Sequence, residues 1–534
     1  MGVYVKLSIL SDQIPDKEWN EFYDESLIFL KKYSDEIMGF REEIKGSIKR
    51  HVYSREIEHN KDDPQKRHWA AIGDFFSKET GETFCLYYDI NHYFHGKYKS
   101  ERCDDILLHM IDDYNDSEGK RAGHFCDIFN NKTQGYSYHI PMLAVAMICE
   151  DRFTELAAVS GNIDIYQARK AKILIREILN KEVHLPVCTD TVRLYNRIKR
   201  YYNDIRGIHY FELIYRGSEN DLYKELQDVY DIEIIKQWFI ENLMKFNSPA
   251  SFGAIDMFIA WLNATQDLET LCNMACIDPK GPGFNPVEFA SALASTWISI
   301  DKTRQGLMDI FLKPRGETDT VFSQFGMMLM DMGGFKGRNM KFHLDQDQVL
   351  SKIKELFPLD FPDIKKTFVN KNNKEKEKLD SLKDPVARLE KSVSEDNSDP
   401  LGDTFPVLES MKDATKEQRF MLKGAAAGMR RLRRNLSDEE EERLYMPNDE
   451  LINMIILLTE KVGPKLSEDA WNWIDNEDNT ELLRFLVLLV MIDNGEQKFW
   501  NMRKGILENK KLAKEVFELY NDPDIESVLE ELEE

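Results

Sequence analysis

The chain has 534 residues, of which 42% are hydrophobic and 31% are charged. This length exceeds one ordinary core and predicts several domains of roughly 100–200 residues each, and the composition excludes the disordered and fibrous classes of protein. The formal net charge of −24 opposes broad affinity for nucleic acid or anionic membranes, because the average surface repels both.

Residues 1–139 are predicted to form a mixed α/β region. Apolar and polar side chains alternate from Val3 to Ile9, a period typical of a half-buried strand. Residues 15–33 carry aromatic and apolar side chains at helical spacing, which predicts an amphipathic helix. The apolar runs 68–76 and 83–90 flank a turn-like hexapeptide and predict a β-hairpin.

Residues 140–364 are predicted to form a helical core domain. Every residue from Ile140 to Cys149 is apolar, which predicts a short helix that contacts protein on all sides. Asp164 and Gln167 have the spacing of a capping box ahead of an amphipathic helix over 165–181. Other helices are predicted near 102–114, 190–204, 220–230, 232–245, 252–264, 286–299, 303–312, 320–332 and 346–357.

Residues 365–406 are predicted to be a charged linker, because few large apolar side chains occur among the many charged ones. Residues 407–534 are predicted to be a C-terminal helical domain. Its apolar run Leu482–Ile492 is too short to cross a membrane and is typical of a buried central helix. The expected fold is therefore mainly α, a multi-helix body with a C-terminal helical domain and a small mixed α/β N-terminal region.

The seven cysteines are scattered along the chain without a repeated spacing. This pattern is typical of reduced thiols rather than of a disulfide framework. The N-terminus lacks the features of a secretion signal. Together these observations predict a cytoplasmic protein without a membrane segment.

Histidines are concentrated in the first 139 residues, where eight of the eleven occur. His92 and His95 have a spacing that suits one metal ion, with Asp89 or His124 completing the ligand set. Imidazole and carboxylate groups bind zinc, and zinc activates a bound water for hydrolysis. Because no established zinc motif accompanies these residues, ordinary hydrogen-bonding histidines are the favoured interpretation.

Three consecutive charges, Glu150, Asp151 and Arg152, follow the apolar helix. A carboxylate beside an apolar segment loses hydration, and its perturbed pKa makes it a candidate catalytic base. A structural ion pair that orients the following loop is the favoured alternative.

Two basic clusters are candidates for partner binding. The first lies in the segment 193–206 and combines Arg193, Arg197 and Arg200 with Tyr201. The second contains the residues Arg430, Arg431, Arg433 and Arg434. Basic helices with tyrosines can contact nucleic acid. Because the chain as a whole is acidic, we expect these two basic clusters to bind acidic segments of this protein or of a partner instead.

The sequence lacks the P-loop, GxSxG, GxGxxG and EF-hand patterns. We therefore expect a non-catalytic protein-binding or regulatory protein, an acidic helical scaffold that acts as a neutralising partner or as an assembly component. No cofactor is expected under this hypothesis. The alternative is a metal-dependent hydrolase that holds zinc in the histidine-rich N-terminal third.

Overall fold

The arrangement of the chain is given by a computed structural model. The structure describes residues 3–33, 37–75, 77–93, 105–115, 125–217, 222–301, 336–380, 405–461, 464–491 and 497–525. The predicted helices 303–312 and 320–332 lie outside these residues.

The mainly helical fold is confirmed: 20 α-helices and nine short strands occur within the described residues. The helices, α1 to α20 in chain order, are Asp16–Tyr33, Ile106–Asn115, His139–Arg152, Ile165–Leu179, Thr191–Lys199, Ile205–Ile214, Leu222–Val229, Ile232–Leu243, Phe252–Thr265, Leu268–Cys272, Pro286–Ser295, Gln346–Leu356, Phe361–Asp380, Lys416–Arg434, Asp438–Leu444, Asn448–Lys461, Glu468–Asp475, Thr480–Met491, Gln497–Glu508 and Lys510–Asn521. The strands, β1 to β9, are Tyr4–Ile9, Ile37–Lys45, Ile48–Ser54, Glu58–His59, His68–Asp74, Thr80–Tyr87, Cys126–Lys132, Ala157–Gly161 and Leu466–Ser467. None of the described helices is both long and apolar enough to span a bilayer.

The chain divides into two compact units. The first contains residues 1–22, 90–135 and 139–396. Its sheet has the order β7-β1-β8, and β1 pairs antiparallel with both neighbours, so that Val5 faces Asn131 on one side and Gly161 on the other. Helix α3 packs against β1 and β8. Its residues 141–149 are all buried, as the absence of a polar face predicts.

Helices make up most of the first unit. Helix α13 packs against α11, and its residues Phe368 and Leu379 are fully buried. Its Glu375 accepts a hydrogen bond from the indole of Trp297 at 3.2 Å. Residues 365–380 are therefore helical, in contrast to the predicted linker, because apolar side chains recur often enough on one face to be buried. The segment 381–404 of that linker lies outside the described residues.

The second unit contains residues 23–89, 136–138 and 397–534. Its sheet has the order β4-β5-β2-β3-β9, and β6 pairs with β5. The predicted hairpin is confirmed as the pair β5 and β6. Helix α18 lies at the centre of the core, where Leu482 and Val490 are almost completely buried.

The two units do not follow the predicted domain boundaries. Strands β2 to β6 belong to the unit of the C-terminal helices, so the predicted region 1–139 is divided between the units. The parallel pairing of Val52 in β3 with Leu466 in β9 links these distant parts of the chain.

Candidate functional site

A pocket of about 460 Å³ lies in the helical part of the first unit. Helices α6 to α9 and the short 3₁₀ helix Lys336–Asn339 supply its walls. The residues that decide its chemistry are Glu212, Tyr223, Trp238, Asp256 and Asn263. This volume is in the range of sites that hold a small molecule or a single side chain.

Local capping interactions fix the helices that carry the pocket. The Asp204 carboxylate accepts the backbone N–H of Arg206 at the start of α6, and Asp231 accepts that of Glu233 at the start of α8. Each cap satisfies one otherwise unpaired N–H and sets where its helix begins. Glu212 and Trp238 therefore project from well-defined helices.

The Asn263 amide forms one side of the pocket. Its Nδ2 donates to the carbonyl of Asn339 at 2.8 Å. Its Oδ1 accepts the backbone N–H of Lys341 at 2.7 Å and that of Phe342 at 3.2 Å. A single side chain of α9 thus fixes the segment 339–342, whose Asn339 lines the pocket.

Buried aromatic rings line the pocket. Tyr223 and Trp238 are 7% and 1% exposed, and their ring centroids lie 5.2 Å apart. The Tyr215 ring stacks on Phe211 at 5.3 Å. Burial and the nearby Glu212 carboxylate raise the pKa of Tyr223 well above its usual range, so its hydroxyl is neutral. The faces of these rings are negative and attract cations.

The pocket carries net negative charge. Glu212 forms no salt bridge with any residue that the structure describes. Surrounding protein raises the pKa of Glu212, while Lys245, His209 and the Trp238 indole oppose this effect. The Lys245 ammonium donates to Asn242 at 2.6 Å.

Arg216 also lines the pocket, but its guanidinium is engaged by the protein itself. Its Nη1 donates to the carbonyls of Leu213 and Tyr215 at 2.9 and 2.7 Å, at the end of α6. A cation at a helix C-terminus is stabilised by the helix dipole. Among the lining residues, the carboxylates of Glu212 and the exposed Asp256 outnumber this one cation, so the pocket is formally acidic.

Comparison with known proteins gives no match: no family description fits this chain, and no curated protein or solved structure is similar to it. Aromatic faces beside the carboxylates of Glu212 and Asp256 are suited to a ligand with an ammonium or guanidinium group.

The three charges after the apolar helix have separate structural roles. Glu150 is 1% exposed and accepts the backbone N–H groups of Val159 at 2.8 Å and Val187 at 2.6 Å. Asp151 accepts both the backbone N–H and Nδ1 of His184, at 2.9 and 2.7 Å. Arg152 pairs with Glu21 at 3.1 Å. These contacts agree with the structural alternative, in which the charges orient the following segment.

The metal-ligand candidates are only partly within the described residues. His95 and His124 lie outside them. His92 is an exposed residue of the 3₁₀ turn Ile90–Tyr93, and Asp89 is a half-buried residue just before it. In the described part of the chain, no three His, Cys, Asp or Glu side chains converge in a way that could hold a metal ion.

The first basic cluster is largely used within the protein. Arg197 is 4% exposed and forms a bidentate ion pair with Asp105, so it does not belong to a binding surface as predicted. Arg193 donates to the carbonyl of Leu185, and Arg200 pairs with Glu155. Tyr201 is 44% exposed. The arginines of this cluster therefore bind carboxylates and a backbone carbonyl of the same chain.

The second basic cluster ends helix α14. Arg430 donates to the carbonyls of Tyr520 and Asp522 at 3.1 and 2.7 Å, and Arg433 donates to the Tyr520 hydroxyl at 3.2 Å. Arg431 and Arg434 are exposed. The cluster therefore anchors the end of α20, with two of its cations on the surface.

The pocket residues were not identified from the sequence. They come from four different helices, and no motif joins them. The one available signal is in α9, where Asp256 is the single charge in the apolar sequence FGAIDMFIAWLNAT. A lone carboxylate in such a helix indicates a special environment.

Proposed function

We propose that this chain is a non-catalytic, cytoplasmic protein-binding protein, and that its pocket receives a lysine or arginine side chain of the partner. The carboxylate of Glu212, which forms no salt bridge with the described residues and lies beside the rings of Tyr223 and Trp238, carries this proposal. A cation in such a site gains both an ion pair and contact with aromatic faces.

The net charge of the chain also favours a basic partner. A net charge of −24 attracts basic partners over distances of about a Debye length and raises their association rate. The six described cysteines are free, which is consistent with a reducing compartment. A regulator or assembly component that recognises a basic partner would use the pocket for specificity and the surface charge for association.

The test is selection from a random peptide library displayed on phage. The wild-type protein is expected to enrich peptides with a lysine or arginine at one position. The variants Glu212→Gln and Asp256→Asn are expected to lose this preference, and the dissociation constant of a selected peptide should rise by roughly tenfold, the change that about 1.4 kcal/mol produces.

Asp228→Asn is the matched control, because Asp228 is an exposed carboxylate of α7 that does not line the pocket. Its selected peptides should equal those of the wild type. Enrichment without basic residues, or equal selection by Glu212→Gln, would contradict the proposal.

A further inference from the structure

Helix α4 is firmly fixed at both ends. At its start, Gln167 N–H donates to the Asp164 carboxylate at 2.8 Å, and Asp164 N–H donates to the Gln167 amide at 3.0 Å. At its end, Asn180 adopts the left-handed conformation with φ of 52° and donates its N–H to Arg176. Such caps limit fraying, so the side chains between them hold a constant arrangement.

The inner face of α4 is committed to the core. Ala168, Ala171 and Ile175 are fully buried, and the helix packs against α3. The small alanines allow close approach of the two helices. The opposite face is consequently left on the surface of the first unit.

This outer face contains two exposed apolar side chains. Tyr166 is 68% exposed and Ile173 is 45% exposed. They are seven residues apart, and this spacing places both on the same side of a helix. Single exposed apolar residues are common on protein surfaces, but this pair has the spacing of a helix-packing seam.

The outer face also carries unpaired positive charge. Arg169 and Lys170 lie between the two apolar residues, are exposed, and form no salt bridge with the described part of the protein. By contrast, Lys172 and Arg176 both lie within 4 Å of Glu182, at 3.7 and 3.9 Å. Helix α4 carries four cations and a single carboxylate, the exposed Glu177, so its charge is locally opposite to that of a chain with net charge −24.

We propose that the outer face of α4 binds an acidic amphipathic helix of a partner protein. Apolar side chains of that helix pack against Tyr166 and Ile173, and its carboxylates pair with Arg169 and Lys170. This surface is separate from the Glu212 pocket and takes a ligand of opposite charge. The protein would therefore connect two partners, or two segments of one partner.

An acidic protein helix fits this face better than a nucleic acid does. Phosphate recognition would use the cations, but Ile173 would have no apolar group to contact. A packed helix uses the cations and both apolar side chains at once. Charge complementarity and the seven-residue spacing thus select the same class of ligand.

The test uses a designed helical peptide of about 14 residues, roughly 21 Å long. It carries leucines at the spacing of Tyr166 and Ile173, with glutamates beside them. Fluorescence anisotropy measures its binding to the full-length protein. The double variant Arg169→Glu with Lys170→Glu should weaken binding by at least about tenfold, and Ile173→Ser should weaken it by about fivefold.

The matched control is Lys365→Glu with Lys366→Glu, an equal charge change at two adjacent exposed lysines of α13. It should bind the peptide like the wild type. Circular dichroism establishes that each variant is folded, which is expected because every substituted side chain is on the surface.

Three results would overturn the proposal. The first is no measurable binding of the peptide to the wild-type protein up to about 1 mM. The second is equal or tighter binding of a DNA duplex that depends on Arg169 and Lys170, since this would assign the face to nucleic acid. The third is self-association in analytical ultracentrifugation that Ile173→Ser abolishes, since a second copy would then occupy the face.

Discussion

Arg197 and Asp105 form a bidentate ion pair in the interior of the first unit, where both residues are less than 5% exposed. The Asp105 carboxylate also accepts the backbone N–H of Leu107 at 2.9 Å at the start of α2. The Arg197 guanidinium therefore neutralises the same carboxylate that accepts a backbone N–H at the start of helix α2.

The substitution Arg197→Met is expected to destabilise the protein by about 3–5 kcal/mol, because it leaves a buried carboxylate without its partner. The measurement is the free energy of unfolding from urea titration. The control is Arg200→Met, which removes an exposed pair with Glu155 and should cost at most about 1 kcal/mol. Similar losses from the two substitutions would mean that the buried pair has no special role.

The substitution Glu150→Gln should destabilise the protein by about 1–3 kcal/mol. One carboxylate oxygen accepts the N–H of Val187 and the other that of Val159, whereas a glutamine has a single acceptor oxygen. Amide hydrogen exchange should accelerate at one of these two valines. Glu155→Gln, at an exposed carboxylate, provides the comparison, and unchanged exchange in Glu150→Gln would refute the anchoring role.

His139 should make the protein less stable in acid. Burial lowers its pKa to about 4, whereas the unfolded chain binds a proton near pH 6.5. Unfolding therefore takes up a proton between these values, and stability falls as the pH decreases from about 6.5 to about 4, by up to about 3 kcal/mol. His59, whose pKa burial also lowers, acts in the same direction.

The contribution of His139 is isolated by comparing wild-type protein with His139→Gln in urea titrations at several pH values. The variant should lose less stability than the wild type on acidification, because glutamine does not titrate. Parallel curves for the two proteins would show that His139 is protonated equally in the folded and unfolded states.

Local patterns predicted the local structure well. The alternation from Val3 to Ile9 became strand β1, and the spacing of Asp164 and Gln167 became a complete capping box. Both depend on neighbouring residues alone. The pairing of Val52 with Leu466 depends instead on contacts between distant parts of the chain, which no period along the sequence records.

The site was harder to predict for the same reason. Glu212, Trp238 and Asp256 come together because three helices pack, and their spacing along the sequence carries no signal. Charge patterns were misleading for Arg197, which was expected on a binding surface. A basic run does not reveal that a carboxylate as distant as Asp105 lies beneath it.

Lys504 should make the second unit more stable in alkali. This lysine of α19 is 1% exposed and donates to the carbonyl of Lys78 at 2.6 Å. Burial lowers its pKa to about 8, with Glu508 opposing and Lys78 adding to the effect. The unfolded chain holds this proton up to about pH 10.4, so stability rises by up to about 3 kcal/mol as the pH increases from about 8 to about 10.4.

Lys504→Met lacks this titration, and the stability of the wild type relative to the variant should therefore increase with pH over that interval. Urea titrations at about pH 7.5 and pH 10 measure the difference. A constant difference between the two proteins would mean that the folded lysine keeps its proton.

Glu212 should make peptide binding depend on pH. Because its surroundings raise its pKa, part of the population is protonated in mild acid, and a protonated carboxyl cannot pair with a cation. The affinity for a lysine peptide should therefore rise with pH through this pKa and then level off, since the lysine itself stays charged up to about pH 10. Isothermal titration calorimetry between about pH 4.5 and pH 8 measures this profile.

The variant Glu212→Gln should bind more weakly and with a flat profile over the same range. His209→Gln provides a comparison, because His209 acts on the Glu212 carboxylate. If the rise of affinity with pH survived in Glu212→Gln, Glu212 would not be the group that controls it. The pocket's preference for cations would then have to come from Asp256 and the aromatic rings.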